Sequence, residues 1–301
     1  MRKSYSTFAS EEIVMTEKIG RYIDPLTDFG FKHLFGSEPN KEIMIEFLNS
    51  LFEGQKNIVN IAYNDTENAG DAPDYKKVIF DLTCTGDQGE QFIIEMQRTT
   101  QRYFRERCVF YLSRIINQQL PKGESGWNTR LKEVYLIGIL DFSFEDTPEG
   151  KYLHHISLMD NKTGKLFYDK IGLKFLELPN FNKEEGELKN ILDKWFYLLK
   201  NIHRLNEIPK GFNTPLFQKI FKIAEVANLT KEERMSYDSN LKAKWDYENS
   251  IAYAAEVAEI KGEIKRRDII AAELKKIGIS VEDISRATKL TPEEIEKIEI
   301  P

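Results

Sequence analysis

Val78-Ile79-Phe80-Asp81-Leu82-Thr83-Cys84-Thr85-Gly86-Asp87-Gln88-Gly89-Glu90-Gln91-Phe92-Ile93-Ile94-Glu95-Met96-Gln97 carries the strongest structural signal in the chain. The stretch reads as a β-hairpin with an acid inside each apolar arm. Val78, Phe80 and Leu82 alternate with Ile79, Asp81 and Thr83, and Glu95 shares its face with Ile93 and Gln97. A loop of Asp87-Gln88-Gly89 makes a three-residue turn whose last position wants the left-handed backbone that glycine adopts cheaply. Residues whose numbers sum to 176 then face each other, so Gly86 pairs with Glu90 and Asp81 with Glu95. Opposed Cβ atoms lie about 4.5–5.5 Å apart. Two carboxylates at that distance repel, or share a cation such as Mg²⁺ that takes hard oxygen ligands and keeps several waters. A bulge would shift the register by one residue, and a solvent-facing sheet surface would keep both acids hydrated with no metal at all.

Before the hairpin, Asn40 is placed to cap a helix through Ile43, Phe47, Leu48, Leu51 and Phe52, and Ile58 to Tyr63 alternates as a short strand. After the hairpin, Phe104, Cys108, Tyr111, Leu112 and Ile115 recur at helical steps, predicting a helix from about Thr100 to Gln119. Glu133 to Phe142 is continuous enough in apolar residues to be a strand buried on both faces. The order helix, three strands, helix, strand makes a mixed α/β core in which a crossover helix carries the chain from the hairpin to a parallel strand. His155 to Met159, Leu166 to Tyr168 and Phe175 to Leu178 predict further short strands.

From Lys183 the pattern is helical, with amphipathic helices at Leu188–Leu199 and Leu216–Ala227 and a long charged helix from about Leu229 to Lys275. A break at Gly278 precedes two short helices capped at Ser280 and Thr291, with Pro292 in the first helical position. This pair resembles a helix-turn-helix. Its second helix carries Glu293, Glu294, Glu296 and Glu299 against Lys297, a face a phosphate backbone repels, so packing or self-association suits it better.

The 301 residues are 41% hydrophobic and 12% aromatic, enough for a substantial core, and 43 Lys and Arg against 49 Asp and Glu leave a net charge of −6. Overall charge therefore does not advertise nucleic-acid binding, and any such activity needs a local basic patch. One exists: Arg98, Arg102, Arg105, Arg107 and Arg114 surround a single acid, Glu106, just after Glu95. Tyr103 and Phe104 beside them are candidates to stack on a base, although Phe104 keeps the spacing of a core residue. Cys84 and Cys108 are too few for a disulfide framework, which points to a reducing cytoplasm. Residues 1–20 read as a flexible lead without a signal-peptide core, and no run nears the about 18 apolar residues of a membrane helix. His33, His154, His155 and His203 show no zinc-ligand spacing with cysteines.

The hairpin acids, followed by the acid-x-polar tripeptide Glu95-Met96-Gln97, resemble the PD-(D/E)xK nuclease superfamily. The phrase Thr27-Asp28-Phe29-Gly30-Phe31-Lys32-His33-Leu34-Phe35-Gly36 and the run Tyr103-Phe104-Arg105-Glu106-Arg107 sharpen the likeness to its Rpn-like branch of recombination-promoting nucleases, or PD-(D/E)xK family transposases. The resemblance is good over residues 21–145 and looser beyond. It implies a restriction-endonuclease-like αβββαβ core and Mg²⁺-dependent DNA phosphodiester hydrolysis, with Mn²⁺ able to substitute. Asp81 and Glu95 would be the metal ligands and, with Gln97, the catalytic set. A third acid would come from Asp28 or Glu46; Asp28 also reads as a turn or cap residue and Glu46 as a solvated position. Lys32, Arg98, Arg102 and Arg105 would meet DNA.

Two features depart from the family pattern. Phe80, not proline, precedes Asp81, and the Pro73-Asp74 dipeptide lies in a polar loop entry where it serves as a decoy. Gln97 stands where a lysine is usual, and an amide can orient by hydrogen bonds but brings no charge. Three functions follow: a metal-dependent DNA endonuclease of the transposase or recombination type; a nuclease-fold protein that binds nucleic acid or a partner with weak or lost turnover; and a protein whose helical half drives assembly, with a homodimer through the C-terminal helices. The expected division is a lead over 1–20, a nuclease-like domain over 21–180, a helical region over 181–275 and a helical pair over 276–301.

Overall fold

A computed structural model describes residues 19–64, 67–68, 78–120 and 130–299. Most of the expected lead and the Pro73-Asp74 dipeptide lie outside these residues. The chain divides into two compact units, one ending at Asp238 and one beginning at Ser239.

The first unit is built on helices α1 (Asp28–Phe35) and α2 (Lys41–Phe52) and strands β1 (Ile61–Tyr63), β2 (Glu67–Asn68), β3 (Val78–Ile79), β4 (Leu82–Gly86) and β5 (Gln91–Gln97). Helix α3 (Phe104–Gln118) crosses to β6 (Val134–Leu140), and β7 (Leu153–Met159) and β8 (Leu166–Glu177) complete the sheet. Six strands lie in the order β1-β4-β5-β6-β8-β7, while β2 and β3 form a separate two-stranded ladder. The pairs β5–β6 and β6–β8 are parallel; β1–β4, β4–β5 and β7–β8 are antiparallel. This is the mixed α/β core expected, with α3 as the crossover.

Strand β6 is buried along its whole length, as a central strand covered on both faces must be. On one face, Ile93, Leu136, Leu140 and Phe175 pack under Phe104, Cys108, Leu112 and Ile115 of α3. On the other, Phe52 at the end of α2 meets Phe92 and Tyr135 edge-on, with centroids 6.0 and 4.8 Å apart. Helices α4 (Ile191–Asn201) and α5 (Pro215–Ala224) add to this side. Trp195 of α4 lies 5.9 Å from Phe35, 5.4 Å from Phe47 and 5.5 Å from Phe217, so one indole joins α1, α2, α4 and α5. Burial of rings of this size contributes strongly to the core.

Local differences from the sequence reading have physical causes. The strand expected over Val78 to Cys84 breaks at Phe80 and Asp81, because Phe80 is drawn into the cluster beneath α3, 5.2 Å from the Tyr111 ring. The strands expected at Leu166 to Tyr168 and Phe175 to Leu178 are one strand, β8. Gly172 interrupts its apolar pattern because the neighbouring Tyr135 ring occupies the space, and a Cβ there would meet Tyr135 Cδ1 at 3.0 Å. Asn40 precedes α2 without a capping side-chain bond.

Helix α6 (Lys231–Lys276) starts in the first unit, where Tyr237 Oη accepts the Asp24 N–H at 2.8 Å, and supplies the long element of the second. There, α7 (Val281–Thr288) and α8 (Pro292–Lys297) enclose Ala271, Ile284, Leu290 and Ile295. Ser280 caps α7, and Thr291 with Glu294 forms a capping box on α8, as the sequence predicts. Lys275 Nζ donates to the carbonyls of Ile295, Glu296 and Ile298 at 3.2, 3.1 and 3.0 Å, satisfying the end of α8. No helix among the described residues is long and apolar enough to cross a membrane.

Candidate functional site

The hairpin fixes the geometry. Leu82 faces Ile94, Thr83 faces Ile93, Cys84 faces Phe92 and Thr85 faces Gln91. Gly86 N–H donates to Glu90 O at 2.8 Å, Gly89 N–H to Gly86 O at 3.0 Å, and Gly89 has φ +86°. The pairing read from the loop is therefore present, and its next step sets Asp81 against Glu95. Asp81 sits one residue outside the ladder, where its Oδ2 accepts the Met96 N–H at 2.7 Å.

Glu95 is aligned with Gly138 and Phe175, on the sheet face that α3 covers, and is only 3% exposed. Its Oε1 is buried with no hydrogen-bond partner. Burial, reinforced by the neighbouring Asp81 carboxylate, pushes its carboxyl up to about 8; Arg107, the Asp81 main-chain N–H and the Gln97 side chain pull the other way. Burial also raises Asp81, aided by Asp28, against the Met96 N–H, Lys32 and Arg107. An orphaned carboxylate oxygen beside a second, half-buried acid fits a divalent cation, which would remove the repulsion that now favours protonation. Among the described residues, no group of three or more His, Cys, Asp or Glu side chains could hold a metal. The protein would thus offer two carboxylates, a donor set Mg²⁺ accepts because it retains water.

The other expected residues are distributed unevenly. Asp28 is the first residue of α1 and pairs with Lys32 one turn on, at 2.7 Å. Thr27, not Asp28, caps the helix, accepting the Gly30 N–H at 3.0 Å. Both Asp28 and Lys32 act electrostatically on Asp81, so α1 brings them to the site. Glu46 instead lines a separate depression with Asn49, Glu53 and Asn190. Gln97 ends β5, with its side chain engaged with Glu95.

The arginines also separate. Arg105 forks onto both oxygens of Asp146 and lies 4.5 Å over the Phe144 ring. Arg114 is buried, and Arg102 stands exposed over Tyr103 at 5.0 Å. Tyr103 is 59% exposed and takes a left-handed φ of 64°, turning the chain into α3. Phe104 is core. Arg107 is the cation the sequence reading underused. It lies 5.7 Å from both the Phe104 and Tyr111 rings, and its charge reaches both acids. Its spacing of three from Phe104 and four from Tyr111 was the available signal, since those steps share a helix face.

The sequence profile of the PD-(D/E)XK nuclease family transposases matches residues 25–254. The chain belongs to this family. In this PD-(D/E)XK protein the matched segment includes the whole six-stranded sheet, α3 and the acid pair. No curated protein and no solved structure matches the chain.

Proposed function

We propose that the protein is a Mg²⁺-dependent DNA endonuclease of the transposase or recombination-promoting type. The observation that carries this reading is the pair of half-buried Asp81 and buried Glu95 on one hairpin, with one Glu95 carboxylate oxygen left without a donor. When bound, a divalent cation held by these carboxylates would lower the pKa of a water and stabilise charge on the scissile phosphate; Mn²⁺ has the same hard-ligand preference. The Met96 N–H fixes the Asp81 carboxylate, and Gln97 orients Glu95. Lys32 and Arg107 supply positive potential beside the acids, drawing in the DNA backbone. Arg102 and Tyr103, both exposed at the start of α3, would meet a phosphate and a base, with Arg98 beside them in sequence. The buried free thiols Cys84 and Cys108 suit a reducing cytoplasm.

The test is cleavage of supercoiled plasmid with Mg²⁺ or Mn²⁺ by the parent protein, Asp81→Asn and Glu95→Gln. Cleavage by the parent alone supports the assignment; cleavage that survives both substitutions sinks it.

Gln97 favours a second reading, a nuclease-fold protein that binds DNA with little turnover. Its amide is turned to Glu95 and brings no charge to an attacking water. DNA binding without cleavage under either metal would select it.

Helix α6 also supports pairing of two copies. Tyr253, Ile260 and Ile264 are exposed at coiled-coil spacing. Residues 246–260 hold Asp246, Glu248, Glu256 and Glu259 with no Lys or Arg, whereas Lys261, Lys265, Arg266 and Arg267 follow, against Glu263 and Asp268. An antiparallel pair centred near Ile260 would set the acidic half of one helix against the basic half of the other.

A further inference from the structure

The sheet face opposite the acids carries a cavity of about 510 Å³. Lys174 is aligned with Ile94 and Ile137, one position before the row of Glu95, Gly138 and Phe175, so the pleat directs it to this other face. The C-terminal end of α2 supplies Phe52 as one wall; Tyr135 and Gly172 of the central strands and His155 and Ser157 of β7 supply others. A side chain at Gly172 would press on the Tyr135 ring and take up this space.

Lys174 is 6% exposed. Its Nζ lies 4.6 Å over the Phe52 ring and 2.6 Å from His155 Nδ1, and it meets no carboxylate within ion-pair distance among the described residues. A buried ammonium without an anion is costly. The acids that line the cavity do not compensate it. Glu133 is engaged by Lys56 and by Tyr135 Oη, while Glu53 and Asp169 are exposed at the rim. Burial accordingly lowers Lys174 to about 8, with Lys56 adding to the shift and Glu53 opposing it. Burial and Lys174 also lower His155. A neutral His155 accepting through Nδ1 carries its proton on Nε2, a second donor directed away from the lysine.

We propose that this cavity seats a small phosphomonoester, its phosphate on Lys174 and His155 and its organic part against Phe52 and Tyr135. The phosphate supplies the missing counter-charge. The volume lies in the roughly 300–1,000 Å³ range of small-molecule sites and exceeds what a bare phosphate fills. The proposal is independent of the nuclease reading, because it uses the other sheet face and none of the same residues.

Calorimetric titration of the full chain near pH 7 with deoxyadenosine monophosphate, inorganic phosphate and deoxyadenosine tests it. Deoxyadenosine monophosphate is expected to saturate one site, phosphate to bind more weakly and deoxyadenosine not at all. Lys174→Met should lose about tenfold or more in affinity, as removal of a charge-assisted hydrogen bond predicts. The same variant should unfold no earlier than the parent, since removing a buried charge that has no anion offsets the bond lost at His155 Nδ1. Binding should weaken above about pH 8 as the Lys174 ammonium is lost; the other titratable groups that face it in the cavity are His155, Tyr135, Lys56, Glu53, Glu133 and Asp169. Equal affinity for phosphate and deoxyadenosine monophosphate would overturn the phosphomonoester in favour of the free ion. Undiminished binding by Lys174→Met, equally tight binding of deoxyadenosine, or no saturable binding would overturn the site.

Discussion

Met96 N–H donates to Asp81 Oδ2 at 2.7 Å, so the first acid is held by the main chain of the residue that follows the second. The bond stands where the broken strand gives Asp81 no ladder partner, and it occupies one oxygen of a carboxylate that burial already disfavours in its charged form. Glu95 has less relief, with Oε1 unpartnered. The two carboxylates therefore repel each other when both are ionised, and protonation of either relieves the repulsion.

Glu95→Gln should stabilise the metal-free protein in alkaline buffer. The folded-state value of about 8 lies above the ordinary carboxylate value of 4.5, so the native state binds more protons than the unfolded chain between those limits. Stability carried by this group is present at low pH and is lost as pH rises through about 8. A glutamine removes that loss, worth on the order of 5 kcal/mol above the transition. Thermal unfolding in chelator across this pH range checks it; pH profiles of variant and parent that run parallel would refute it.

Mg²⁺ should raise the unfolding temperature of the parent, by about 2.7 kcal/mol of stability when its concentration is one hundred times the dissociation constant. Protons compete for the same oxygens, so the stabilisation should grow with pH until about 8 and then level off. Glu95→Gln should abolish it, and chelator should reverse it. Equal Mg²⁺ shifts in parent and Glu95→Gln protein would place the cation elsewhere.

Arg107→Gln keeps most of the side chain's reach across Phe104 and Tyr111 but removes a charge that favours ionised Asp81 and Glu95. The pH at which cleavage is half-maximal should move upward. The salt dependence of DNA binding should become shallower, by about one unit of slope if the arginine meets a phosphate. Arg105→Gln breaks an exposed pair with Asp146 and should change DNA affinity less. Filter binding at several salt concentrations separates the two.

A second buried acid tests the scaffold alone. Glu177 is 0% exposed and accepts from Thr147 Oγ1 at 2.6 Å and from Asn180 Nδ2 at 2.6 Å, with His154 Nε2 at 2.8 Å. Thr147→Val deletes one donor from a desolvated carboxylate and should cost about 1–3 kcal/mol in chemical denaturation. Metal binding at Asp81 and Glu95 should be unchanged.

Much of the hairpin was legible because its information is local. Alternation, loop length and Gly89 specify the register without reference to the rest of the chain, and the same holds for the caps at Ser280 and Thr291. What escaped depends on distant packing. The strand break at Phe80 exists because the cluster beneath α3 takes in its ring, 5.2 Å from that of Tyr111. Asp146, which occupies Arg105, is forty-one residues away, and nothing in either local sequence announces the pairing. Buried Lys174 was invisible for the same reason: a lysine in a strand reads as solvent-facing until the end of α2 is laid over it.

The hairpin and α3 contribute different properties to the acid pair. Turn arithmetic brings the carboxylates together, while the helix above them excludes water. Proximity could thus be inherited as a short cassette of sequence, whereas the elevated proton affinity must be rebuilt by whatever roof a descendant places over it. The same two strands under a looser α3 would hold an acid pair already ionised at neutral pH, whose charge would vary little between about pH 6 and about pH 9.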